Sequence, residues 1–481
     1  MRSRVPAAGL VLGVVCALII GCSADPPPAA PPPPPPMNPA PGASGAGDPY
    51  YPMDGNGGYD AAEYQVGITY DPAKGRLDGD TTVIAKATQD LNRYNLDLRG
   101  MTVQSVEVDG KPAKFAREGD FELVVTPAEP IRNGTTFRTK VLYGGDPSAT
   151  PKAGGSENGW QKSKDGGAFI VGEPHSASFW YPVNETPRDK AMFTLTARVP
   201  DGWTVISNGR EIQKTSANGW STTSWQERTP VAPYLTTVAI DKFTVDRMAL
   251  PDGTPLVNAY APGAEDRRDT GRRLPEIIGF LTSKFGPYPV DAAGGIYLDE
   301  DIHFSLETQT RPTYAKWADL ITVVHETAHQ WFGDSVTLNS WSDICLNECF
   351  ASYAQWLWQE SRDNENLDDR YRASLEIMRG STDFWAPKLV DMGVGQEFHG
   401  VYDKGILAIH ALRRKIGEGA FARLLKEWPA AYRNANASWA DFEAFTIKLS
   451  EQNLRPFFDA WFHGTTIPPD AELLPGTLRR N

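Results

Sequence analysis

Apolar residues in the first half of the chain recur with a period of two. Tyr64, Val66, Ile68 and Tyr70 alternate with other residues, as do Phe193, Leu195, Ala197 and Val199; in a strand, every second side chain faces the same side. Val106 and Val108 run into Asp109-Gly110, a pair suited to the tight turn of a hairpin. The pattern predicts an all-β N-terminal domain over 59–247. No repeat of roughly 20–50 residues accompanies it, so neither a propeller nor a solenoid is expected.

From residue 248 the period lengthens. A few short strands, among them Gly295–Leu298, give way to helical spacing over 313–332, 343–361, 367–379, 401–416, 419–427 and 438–450. This predicts a mostly α-helical α+β domain over 248–470, closing near Trp461, with a C-terminal tail at 471–481.

The N-terminus reads as targeting rather than fold. Arg2 and Arg4 precede an apolar run, Leu10–Ile20, too short for a comfortable membrane span. The run ends in Ile19-Ile20-Gly21-Cys22, which resembles the lipobox of bacterial lipoproteins. The resemblance implies a signal peptide over 1–21, cleavage before Cys22 and acylation of Cys22. The mature protein would then be lipid-anchored to the cell membrane, facing the extracytoplasmic side. Residues 22–58 are rich in proline, glycine and alanine, too poor in apolar surface to fold, and predict a disordered tether.

Charge narrows the partners. With 60 acidic against 47 basic residues and no basic stripe, nucleic acid is excluded as a partner. Of the four cysteines, only Cys345 and Cys349 fall in the folded part. Positions i and i+4 of a helix hold their Cβ atoms about 5–6 Å apart, too far for an unstrained bridge, so two buried, unbonded thiols are expected.

The chemistry concentrates in Val324-His325-Glu326-Thr327-Ala328-His329. One helical turn separates His325 from His329, so both imidazoles project from one face and can bind one metal. Glu326 lies beside them, close enough to hold a metal-bound water. A catalytic zinc takes three protein ligands and keeps a position for water. Glu348, on the next predicted helix, is the candidate third ligand, with Asp343 as that helix's N-cap.

HExxH followed by Glu348 in Asn347-Glu348-Cys349-Phe350-Ala351 is the gluzincin pattern, and Trp331-Phe332-Gly333-Asp334 extends it. The chain resembles the aminopeptidase N-like zinc peptidases. Leu306-Glu307-Thr308-Gln309-Thr310 stands in place of their GxMEN signature, and Val401-Tyr402-Asp403-Lys404-Gly405 matches VYxKG. Gly172-Glu173-Pro174 precedes Trp180-Tyr181-Pro182, as in their N-terminal domain, and Phe457-Phe458-Asp459-Ala460-Trp461 resembles the close of their catalytic domain. The resemblance implies a thermolysin-like catalytic domain holding one Zn2+ on His325, His329 and Glu348. Glu326 would be the general base and Tyr402 the donor to the oxyanion. Glu307 and Glu173 would bind the substrate's free amine, which makes the enzyme an aminopeptidase acting on peptides.

Three departures stand out. Leu306 and Thr308 replace the Met and Asn of GxMEN, and Cys349 stands where these relatives usually carry Gly. The chain ends shortly after Trp461, so their large C-terminal helical domain is expected to be absent and the cleft more open. Two other functions fit the same pattern: an inactive, lipid-anchored binding protein, or a zinc hydrolase of non-peptide substrates such as esters or epoxides.

Overall fold

The computed structural model describes residues 36–150 and 157–479, together with Gly13. The expected signal peptide and Cys22 lie outside the described residues. Among the described residues no helix is long and apolar enough to cross a membrane. The fold below belongs to the unit Asn38–Asn481.

The N-terminal part is all-β, as its periodicity predicts. Its largest sheet has eight strands in the order 210–217, 220–231, 191–200, 59–71, 76–87, 136–145, 102–108, 111–112. Only the central pair, 59–71 and 191–200, runs parallel. The alternating residues form its inner face: Tyr64, Val66, Ile68 and Tyr70, with Phe193, Leu195, Ala197 and Val199, are all buried. The Asp109-Gly110 hairpin forms with positive φ at both residues (50° and 75°), as a two-residue turn requires. A smaller sheet joins 159–162, 168–171, 238–241 and 204–207. Its strand Ala168–Val171 runs directly into Gly172-Glu173.

The helical part opens on a sheet of 244–249, 255–260, 293–297 and 313–314, so its first strand begins at Thr244, ahead of residue 248. The helix Leu274–Phe285 is not among those expected, and the helices after it follow the predicted positions with one correction. The segment 313–332 is not one helix: Thr313–Tyr314 is a strand parallel to Ile296–Tyr297, and the helix spans Leu320–Ala328. Burial explains the difference, since 313–315 is apolar enough to complete a sheet edge. Asp319 then starts the helix by accepting from Thr322 N at 2.8 Å. The closing segment is docked rather than a loose tail: Leu473 and Leu478 are buried, and Tyr371 Oη donates to Leu473 O at 2.6 Å.

Two further expectations are corrected. Cys345 and Cys349 form a disulfide, with Cα atoms 4.8 Å apart. They occupy the opening turn of the helix Cys345–Arg362, directly after a 3-10 turn at Trp341–Asp343. There Ile344 O accepts from both Asn347 N and Glu348 N, at 2.9 and 3.0 Å. The Cα separation lies within the range of about 4.4–6.8 Å usual for disulfides and is shorter than regular i,i+4 helical spacing. Asp343 ends the 3-10 turn and is not the helix's cap; Ile344 holds that position.

The tether also ends earlier than its composition predicts. Ala40–Pro41 pairs with the strand Leu91–Asp97, and Asp48, Tyr50, Asp54 and Asn56 are buried. Residues 38–58 therefore form a strap on the folded body. Polar contacts hold it, which is why hydrophobic composition gave no sign of it.

Arg311 locks the N-terminal and helical parts together. Fully buried, its guanidinium donates to Ser207 O (3.4 Å) and Gly209 O (2.7 Å) of the β part. It also donates to Val257 O (3.0 Å) and Ala293 O of the helical part's sheet. Burial lowers its pKa to about 10, so it stays charged at neutral pH. Arg311→Leu is expected to destabilise the protein by at least about 3 kcal/mol, because each buried acceptor left unpaired costs ~1–3 kcal/mol. Urea unfolding checks this; an unchanged midpoint would show that the carbonyls find other donors.

Candidate active site

Two helices and two loops build the site. His325 projects from the helix Leu320–Ala328, and His329 follows at its C-cap, one turn on and still in helical conformation. The helix Cys345–Arg362 packs against it and supplies Glu348 from its first turn. His325 Nε2 and Glu348 Oε2 are 3.2 Å apart, the two Nε2 atoms 3.1 Å, and His329 Nε2 and Glu348 Oε2 3.6 Å. Tetrahedral ligands at ~2.0–2.1 Å from zinc stand about 3.3 Å apart. The three donors therefore fit such an ion.

Neighbouring groups fix these side chains. His329 Nδ1 donates to Phe332 O at 3.0 Å, leaving Nε2 with its lone pair toward the other two donors. Gly333 makes room for that ring: a Cβ there would lie 3.2 Å from His329 Nδ1, and its φ is 131°. Ser352 Oγ lies 3.5 Å from His325 Nδ1. Gly405 lets the helix Asp403–Ile416 approach the Glu348 helix closely, since a Cβ at Gly405 would meet Cys349 Sγ at 2.6 Å.

The donors open into a cavity of about 560 Å³ lined also by Glu173, Glu307, Glu326, Tyr402 and Phe398. Every predicted site residue of the folded part reaches this one space. Glu307 follows Leu306, which bridges Thr313 through two backbone hydrogen bonds, so it sits at the edge of the central sheet. Tyr234 Oη is 3.5 Å from Glu307 Oε1. Glu173 comes from the β part; its Oε1 is buried without a protein partner. Tyr402 keeps 40 % of its surface exposed and faces the cleft, with its ring 6.1 Å from that of His325.

The electrostatics are those of a site built for cations. Among the described residues lining the cavity are five carboxylates and no lysine or arginine. Burial pushes Glu173 and Glu326 well above the carboxylate range, and neighbouring carboxylates push both further. Burial likewise raises Glu307. Glu348 goes the other way: burial opposes its ionisation, but His329 and His325 hold it down at about 2. Burial, then the charges of Glu348, Glu173, Glu326 and Glu307, keep the Tyr402 phenol protonated. It is therefore a donor at neutral pH.

Several contributors carried no sequence signal strong enough to single them out. Ser352, one turn beyond Glu348, was detectable by helical spacing alone. Tyr234, Trp317, Phe398 and the strap residues reach the site or its supports only through tertiary folding. Of the remaining histidines, His303 lines the cavity rim and contacts Glu157 at 2.9 Å. His175 instead pairs with Asp54 at 3.0 Å.

Comparison with known proteins agrees with this construction. Residues 60–235 match the peptidase M1 N-terminal domain and 295–461 the peptidase family M1 domain. Human glutamyl aminopeptidase is 24% identical over 60% of this chain and 33% of its own length. A putative aminopeptidase-2 of Caenorhabditis elegans is 24% identical over 79% of this chain and 22% of its own. The chain thus spans about a third or less of these curated relatives. The M1 zinc metallopeptidase of Deinococcus radiodurans superposes with a TM-score of 0.77 at 28% identity, covering 88% of this chain and 98% of that one. A variant of a Deinococcus radiodurans M1 zinc metallopeptidase bound to a Tyr-Ser-Ala substrate gives 0.79 at 27%, over 88% and 99%. With an all-β domain and a helical domain that match the two halves of one family, and a zinc-fitting donor set at the centre of the second, this chain belongs to peptidase family M1.

Proposed function

We propose that this chain is an exported, lipid-anchored zinc aminopeptidase that removes N-terminal residues from peptides. One observation carries the reading: three metal donors and two further carboxylates, buried Glu307 and half-buried Glu173, line one cavity. His325, His329 and Glu348 would hold the ion. When bound, zinc supplies Lewis acidity toward a carbonyl oxygen and lowers the pKa of water toward about 7.

The chain's own residues do the rest. Glu326, ionised when a dication is held beside it, would take a proton from the attacking water and return it to the leaving amine. Tyr402 donates its hydroxyl hydrogen to the substrate oxygen that becomes negative as its carbonyl is attacked. Glu307 and Glu173 accept hydrogen bonds from the substrate's ammonium group. An ammonium fixed there leaves only the first peptide bond within reach of the attacking water, which gives exopeptidase action. The unpartnered Glu173 Oε1 supports this role, because a buried carboxylate oxygen needs a donor or a cation. The membrane anchor rests on the sequence around Cys22.

Zinc content separates the roles. Glu326→Gln and Tyr402→Phe should each keep about one zinc per chain, measured by elemental analysis, because neither is a ligand. Glu326→Gln should lose most turnover. Tyr402→Phe should lose on the order of 10²–10³ in kcat, the usual cost of one oxyanion donor. Near-normal turnover in the Phe variant would remove Tyr402 from the mechanism.

Acetylating a peptide's N-terminus should abolish its cleavage, since the cation that Glu307 and Glu173 bind is gone. Glu307→Ala should lower kcat/KM roughly 10–100-fold on free peptides, the scale of a lost charge-assisted hydrogen bond. Acetylated and free peptides cleaved at equal rates would turn the reading into an endopeptidase.

Attachment is checked by fractionation: Cys22→Ala should leave the membrane fraction or persist as uncleaved precursor. Mature variant protein at wild-type level in the membrane would point to another anchor.

A further inference from the structure

The strap 38–58 reaches three supports of the cavity. Tyr51 Oη donates to Glu397 Oε1 at 3.0 Å, and that buried carboxylate also accepts from Gly395 N at 3.1 Å. Tyr50 Oη accepts from Gly393 N at 2.7 Å and donates to Asp391 Oδ1 at 3.1 Å. Both tyrosines thus hold the irregular segment 387–402, which carries Phe398 to the cavity wall and ends at Tyr402. The strap touches the Glu173 loop as well. Asp54 pairs with His175 at 3.0 Å, and the Tyr51 ring meets the His175 ring edge-on at 5.8 Å. A third contact leads toward Glu307. Asp48 Oδ2 accepts from Trp341 N at 3.0 Å, and Trp341 packs edge-on against Tyr234 (5.1 Å), which in turn contacts Glu307.

We propose that Tyr51 is a positioning residue of the cleft, and that its hydroxyl, through Glu397, fixes the 391–401 segment so that Phe398 and Tyr402 stand correctly against the substrate. The segment has few other ties. Leu389 N and Val390 N bond to Phe462 O, and Asp391 N to Ser342 O at 2.9 Å. Among the described residues, every hydrogen bond that leaves Met392–His399 goes to the strap, while at the segment's end Gly400 O accepts from Gly405 N at 2.9 Å. A loop so sparsely held takes its conformation from those few contacts. Tyr51 touches neither metal donors nor cavity, so it acts through Glu397, its ring fixed between His175 and Trp341. The stretch of chain that follows the proline-rich segment is thereby a working part of the site.

This inference rests on the aminopeptidase reading for its kinetic consequence but not for its structural one, and two measurements on the full chain keep the two apart. Hydrogen exchange needs no activity. In Tyr51→Phe, amides of 393–401 should exchange about fivefold faster, the scale of one lost hydrogen bond, with the helix Leu320–Ala328 unchanged. On free peptides, the same variant should lower kcat/KM about fivefold with zinc content intact. Glu397→Gln keeps an accepting oxygen and should behave as wild type. Glu397→Ala should have at least the effect of Tyr51→Phe, and the double variant should be no worse than Glu397→Ala alone. Unchanged exchange in 393–401 would overturn the proposal, as would independent, multiplying effects of the two substitutions or lost zinc. A wild-type chain that cleaves no peptide would overturn the aminopeptidase reading and leave the exchange result to decide the role of Tyr51.

Discussion

The structure is organised around buried negative charge. Glu173, Glu307, Glu326 and Glu348 are all withdrawn from water and crowd against two imidazoles. A carboxylate removed from water without a counter-charge is costly, and four together are more so. A dication on the three donors and an ammonium between Glu173 and Glu307 would supply the balancing positive charge.

Holding those charges together requires both domains to stay in register. The β part contributes Glu173 from the end of a strand, and the helical part contributes everything else. Arg311 spans the boundary with its guanidinium on carbonyls of both sheets. It lies four residues after Glu307, so the group that locks the domains also locks the edge that presents a carboxylate to the cavity. The strap adds a second fastening, polar and aromatic rather than apolar, between the β part and the loop that ends at Tyr402.

Close packing among the helices sets the finer distances. The disulfide of Cys345 and Cys349 closes the turn that carries Glu348, and Gly405 accepts Cys349 Sγ where a larger residue would clash. Gly333 gives His329 the same allowance. Glycines at these two positions are where helix, ligand and catalytic loop come closest to one another.

What the sequence determined by itself is what short-range periodicity and spacing encode. Alternation specified the inner face of the large sheet from Tyr64 to Tyr70 and from Phe193 to Val199, because a strand's geometry repeats every two residues. One helical turn between His325 and His329 specified a shared face for the same reason, spacing to the next helix singled out Glu348, and the family resemblance alone singled out Tyr402, Glu307 and Glu173. Tertiary structure decided what depends on partners distant along the chain. Thr313-Tyr314 became a strand because a sheet edge was free beside it. Cys345 and Cys349 could bond because the fold holds their Cα atoms 4.8 Å apart, closer than regular helical spacing. Residues 38–58 became a strap because Trp341, Glu397, Asp97 and Asn184 offered them polar contacts. Those contacts leave no periodic mark in the sequence, since a hydrogen bond requires two groups to meet in space and not at any fixed separation along the chain.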